Sequence, residues 1–89
     1  MTARGERSGV PVSAGGEVDP GVYLRALGKR VRLLRLTREL TQEELAAAAG
    51  ISRSFVSLIE HGAHGVDVVR LVRLAAALEI RLAELLGEP

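Results

Sequence analysis

The segment Thr41 to Gly62, TQEELAAAAGISRSFVSLIEHG, constrains this chain more than any other part of it. Thr41 is followed three residues later by Glu44, the spacing of a capping box, in which the Thr hydroxyl accepts from the Glu amide and the Glu carboxylate reaches back to the Thr amide. That spacing predicts a helix starting at Gln42. Leu45 and Ala49 lie one turn apart and give the helix an inner face. The run Ala46 to Ala49 combines high helix propensity with little bulk, so a second helix can approach closely. Gly50 suits the left-handed position that ends a helix, Ile51 reads as a buried turn residue, and Ser52 suits the N-cap of a following helix. In that following helix Val56 and Ile59, with Phe55 at the margin, fall on one side. Arg53, Ser54 and Ser57 fall towards the other.

Two short helices separated by about three residues form a helix-turn-helix, and the polar outer face of the second is what a DNA major groove can read. The rest of the composition fits a small all-α domain. With 47% hydrophobic residues but one Phe, one Tyr and no Trp in 89 residues, the core must be aliphatic. The absence of cysteine excludes disulfides and thiolate metal sites and is compatible with a reducing cytosol, so a cytoplasmic, nucleoid-associated location is the expectation. A net charge of +1 does not argue for a nucleic-acid partner, but the distribution of charge is uneven. Arg25, Lys29, Arg30, Arg32, Arg35 and Arg38 are half of the 12 basic residues, and no acid falls among them. Two readings stay open for each: a solvated basic face, or a contact to phosphate.

Residues 1–20 carry Gly5, Gly9, Pro11, Gly15, Gly16 and Pro20 with no sustained apolar period, and read as a flexible N-terminal arm without the apolar segment of a signal peptide. No apolar run approaches the roughly 20 residues that span a bilayer, so no membrane partner is expected. From residue 21 to 87 the pattern is that of one helical domain. Leu24, Leu27, Val31 and Leu34 give a first helix from Val22 to about Thr37, Leu40 closes over the core, and Asp67 suits the N-cap of a fourth helix lined by Val68, Leu71, Leu74, Ala75 and Leu78. A short fifth helix is expected from Leu82 to Leu86, ending near Gly87. Neither repeats nor strand alternation are present.

Five helices with the motif at the second and third resemble the phage repressor and Cro type of domain, also called the Xre family. The matching residues run from Leu27 to Gly87, about two thirds of the chain: V31-R-x-L-R35, L40-T-Q-E-E-L-A46, A49-G-I-S-R-S-x-V-S-x-I-E60-x-G62, L71-x-x-L-A75-x-A-L78 and L82-x-E-L-L86. The resemblance implies a lambda-repressor-like fold and a sequence-specific, repressing transcription regulator that binds double-stranded DNA. It implies that Gln42 holds a phosphate together with amides of its helix N-terminus. Arg53, Ser54 and Ser57 then map to the groove. Arg53 is the strongest base reader among them, since a guanidinium can present two donors to guanine O6 and N7. Leu58 stands where the family commonly carries a long polar side chain, and Phe55 where Thr or Tyr is frequent; each has both a groove contact and packing against a neighbour as open readings. Arg35 and Glu60 occupy the positions of a structural ion pair, which Glu44 can join, and Arg38 near them is either structural or a phosphate ligand.

His61 and His64 fall in the loop that lies along the phosphate backbone in such domains. Two His three residues apart can share a metal, but no third ligand accompanies them, and no metal or cofactor is expected. A neutral imidazole can donate one bond to phosphate and a protonated one adds charge. Three departures from the family pattern affect details. Glu39 replaces a common Gly after the first helix, so that junction is either a longer helix or a strained turn. Val66 replaces a frequent Pro, and Arg81 a frequent Ser or Thr cap. A domain of this size reads about one half-site, so a homodimer on a pseudo-palindromic operator is expected. Val69, Val72 and Ala76 with Leu82, Leu85 and Leu86 supply either its interface or the rest of the monomer core. No catalytic constellation is evident, and an enzyme is not expected. The competing reading is an antitoxin or interaction module of the same fold that binds a toxin or another regulatory protein.

Overall fold

A computed structural model describes residues 19–87. They form five helices in the order α1 (Pro20–Thr37), α2 (Gln42–Ala49), α3 (Arg53–Glu60), α4 (Val68–Ala77) and α5 (Leu82–Leu85). The expected arm lies outside the described residues except for its last two, which belong to the fold. Asp19 is the N-cap of α1, its Oδ1 accepting from the Gly21 amide at 2.9 Å, and Pro20 fills the first helical position. The helix thus starts two residues before Val22, because Asp followed by Pro is a start signal that the apolar period does not contain.

The other starts follow the expected caps. Thr41 Oγ1 accepts from the Glu44 amide at 3.0 Å and Glu44 Oε1 accepts from the Thr41 amide at 2.8 Å. Ser52 Oγ accepts from the Phe55 amide at 3.0 Å, and Asp67 Oδ1 from the Arg70 amide at 2.9 Å. Arg81 cannot accept a bond, so α5 keeps half a box, in which Glu84 Oε1 accepts from the Arg81 amide at 2.9 Å. The helix closes at Leu85, one residue short of the expected end.

Four helices end alike. At each end a residue of positive φ donates its amide to a carbonyl three residues back, and the next residue donates to one five back: Glu39 and Leu40, Gly50 and Ile51, Gly62 and Ala63, Glu79 and Ile80. Leu40, Ile51 and Ile80 then fold onto the core. Glu39 at φ 58° resolves the open question at the end of α1 in favour of the strained turn, and Glu79 at φ 59° repeats it after α4. Arg38 ties the two turns together, donating to the Glu79 carboxylate at 3.1 Å and to the Glu79 carbonyl. That contact favours the structural reading of Arg38.

Val31, Leu45, Val56, Ile59, Leu74, Leu78 and Leu85 are fully buried, so every helix contributes to one aliphatic core. Ala46, Ala49 and Ala75 let α2 approach α3 and α4 closely. Leu85 is core and Leu82 packs on it, whereas Leu86 stays exposed; this divides the C-terminal leucines that the sequence left between core and interface. On α1, a Cβ at Gly28 would lie 2.8 Å from the Glu60 carbonyl oxygen and closer still to that of Ile59. A Cβ at Gly62 would lie 3.0 Å from Arg25 Cα. The last turn of α3 therefore rests directly on the backbone of α1.

Candidate nucleic-acid interface

The C-terminal end of α3 is locked by charge as well as by close packing. Arg35 Nε donates to Glu60 Oε2 at 2.6 Å and Nη2 to Oε1 at 3.1 Å, with only 10% and 4% of the two side chains exposed. Arg35 Nη1 donates to the Leu40 carbonyl at 2.8 Å, which fixes the turn before α2. Burial raises the Glu60 pKa, but the hydrogen bonds from Arg35 and Gln42 and the charges of Arg35 and Arg32 outweigh it, so the carboxyl is held below its ordinary 4.5. Hydrogen bonding to Glu60 moves the Arg35 pKa upward, beyond its already high value. Glu44 does not join this network, because its carboxylate is committed to the Thr41 cap.

Gln42 links α2 to the same lock. Its Nε2 donates to Glu60 Oε1 at 3.0 Å, which orients the side chain at the mouth of the α2 N-terminus and leaves its second N–H unengaged. The amides of Gln42 and Glu43 have no acceptor among the described residues, as the first turn of a helix requires.

The outer side of α3 carries the expected groove residues. Arg53 and Ser54 are exposed at its first turn, Ser57 is half-buried, and Leu58 is 40% exposed and does not belong to the core. Phe55 is half-buried and covered. The Arg70 guanidinium sits 4.8 Å above its ring centroid, and the His64 ring meets it edge-on at 5.5 Å. Arg70 also pairs with Asp67, so Phe55, His64, Asp67 and Arg70 hold the loop between α3 and α4 against the flank of α3. The sequence reading missed Arg70. Its position three residues after an Asp N-cap was the available signal.

His61 and His64 are both exposed, and each ring bonds its own loop: His61 Nδ1 to the Ser57 carbonyl at 2.7 Å, His64 Nδ1 to the Gly65 carbonyl at 3.0 Å. A carbonyl only accepts, so Nδ1 carries the proton in each. The other ring nitrogen, Nε2, has no partner among the described residues in either case. No group of three metal-binding side chains exists among the described residues. On α1, Arg25, Lys29 and Arg32 are exposed, form no ion pair among the described residues, and follow i, i+4, i+7 spacing. They form a basic stripe beside the end of α3 that rests on Gly28.

A helix-turn-helix with its second helix exposed at the N-terminus and clamped at the C-terminus defines the class, and comparison with known proteins agrees. The helix-turn-helix (HTH_3) family model matches residues 31–85, and the chain belongs to this family of DNA-binding domains. It is similar to the immunity repressor protein of Bacillus phage phi105, with 36% identity over 62 residues covering 70% of this chain and 43% of that protein. Among solved structures it resembles the restriction-modification controller protein C.AhdI from Aeromonas hydrophila, at 42% identity and a TM-score of 0.69 over 70% of this chain and 94% of that one. It also resembles SinR, a master regulator for biofilm formation solved in complex with DNA, at 28% identity and a TM-score of 0.65 over 67% of this chain and 97% of that one. The chain thus spans less than half of the phage repressor and nearly all of the controller protein.

Proposed function

We propose that this protein is a sequence-specific transcription regulator, acting as a repressor, that binds a pseudo-palindromic operator as a homodimer with α3 in the major groove. The observation that carries this reading is the asymmetry of α3. Its last turn is fixed by Gly28, Arg35 and Gln42, while Arg53 and Ser54 at its first turn are free to meet base edges. Arg53 reads a guanine through O6 and N7. Ser54 and Ser57 line the groove, and Phe55 packs at the protein–DNA margin under Arg70. One phosphate is held by Gln42 and the two α2 amides. Arg25, Lys29 and Arg32 face phosphates on the far side of α3. His61 and His64, in the loop after α3, line the same phosphate backbone.

The dimer uses α4. Val69, Val72 and Ala76 are all exposed and fall on one stripe, with Val69 at 59% and Val72 at 49%, and Leu86 is exposed just after α5. Pairing two copies there supplies the two-fold axis that places two α3 helices about 34 Å apart on one face of the duplex. The same stripe would serve a toxin or regulatory protein if the chain were an antitoxin, and the stoichiometry on DNA separates the two. Sedimentation of the purified chain with a duplex carrying its preferred site is expected to give two chains per duplex. A single chain per duplex, or no complex without a second protein, would contradict the homodimer. Among the described residues no helix is long and apolar enough to cross a membrane.

A further inference from the structure

Leu58 belongs neither to the core nor to the side chains packed against it. It projects from the outer half of α3, 40% exposed, with Ser54 one turn before it and His61 just under one turn after. A lone exposed leucine needs no explanation on an ordinary surface. On this face it matters. Ser54 and Ser57 are among the shortest polar side chains, so the helix backbone can lie close to the groove floor, and the isobutyl group of Leu58 then meets a base edge. Guanine, adenine and cytosine present hydrogen-bonding groups there, and a group covered by hydrocarbon loses its water without a replacement partner. Thymine alone adds an apolar surface, its C5 methyl.

We infer that Leu58 is a specificity-determining residue that reads the 5-methyl group of one thymine in each half-site, by burying the methyl and by penalising the other bases. Arg53 selects its base by hydrogen bonding; Leu58 selects by shape and dryness a turn further along. This rests on the DNA-binding reading given above.

The test uses the full chain and its preferred duplex, in which each thymine in turn is replaced by deoxyuridine. That exchange removes only the methyl group and keeps O4 and the base pairing. The wild-type chain is expected to lose about 4-fold in affinity for each half-site at one position, equivalent to about 0.8 kcal/mol for burying one such carbon. Leu58→Ala should bind the thymine and uracil duplexes equally at that position, and its thermal unfolding should match the wild type because the side chain lies outside the core. Indifference of the wild type to uracil at every position would overturn the inference, as would a loss of the same size in Leu58→Ala. If no duplex is preferred over any other, the DNA-binding reading itself fails, and that result appears before any thymine is replaced.

Discussion

Single residues decide two questions of stability. Arg35 and Glu60 are buried together, so removing one leaves the other charged and without its main partner. Arg35→Met is expected to cost about 3 to 5 kcal/mol in urea denaturation, while the double variant Arg35→Met, Glu60→Leu should recover most of that loss, since well-packed hydrophobes commonly replace a buried pair without penalty. Because the folded-state pKa of Glu60 lies below its unfolded value, the carboxylate contributes stability at pH above about 4.5 that is lost as the pH falls through the lower, folded value. The acid limb of the stability curve should therefore flatten in the double variant. Glu39 poses the opposite case. An L-residue in the left-handed region costs about 1 to 2 kcal/mol, and Gly returns part of that through its greater freedom when unfolded. Glu39→Gly should raise stability by up to about 1 kcal/mol, visible as a higher Tm; a lower Tm would show that the Glu39 side chain has a stabilising contact elsewhere.

Elements are positioned by what the sequence hides as well as by what it displays. Helix starts were legible at Thr41, Ser52 and Asp67, because a cap is a local event between residues three apart. The inner stripes of α1, α3 and α4 were legible because burial follows helical period, except at Val68, expected in the α4 stripe but 68% exposed at the first helical position, before the helix has met the core. The contact at Gly28 was not, since a glycine inside α1 looks like a mere weakness, and only the three-dimensional crossing shows that the Ile59 and Glu60 carbonyls occupy the place of its side chain. Nor could spacing reveal that Arg38 bridges to Glu79, 41 residues away. The six basic residues of α1 looked equivalent, yet Arg35 is buried against Glu60, Arg38 pairs with Glu79 at the surface, and Arg25, Lys29 and Arg32 are exposed without an ion pair among the described residues. Gly28→Ala gives a direct test of the crossing. Helix propensity alone would favour it by about 1 kcal/mol. The clash is with backbone, which cannot turn aside, so the variant is expected to be destabilised by about 1 to 3 kcal/mol and to bind DNA less tightly than its folded fraction explains. A gain in Tm with unchanged affinity would show that the recognition helix is not seated by this contact.

At the scale of the whole molecule, one small domain presents a reading helix on one face and an apolar stripe on α4. Under the proposed function the two surfaces act together, so that affinity for an operator comes from two reading helices held by one interface. Val72→Glu should leave the monomer folded, because the side chain is half exposed, yet should abolish the dimer and lower affinity for a two-fold site by about 100-fold or more, as the second half-site becomes a separate binding event. Unchanged affinity in that variant would move the interface elsewhere. The proposed function requires that α3 read sequence. Selection of duplexes from a random pool at physiological salt, with Arg53→Ala carried in parallel, tests this most directly. An enriched two-fold symmetric site is expected, with its preference relaxed at one position per half-site in the variant and about 1 to 3 kcal/mol of discrimination lost there. No enrichment, with only salt-sensitive binding that ignores sequence, would contradict it.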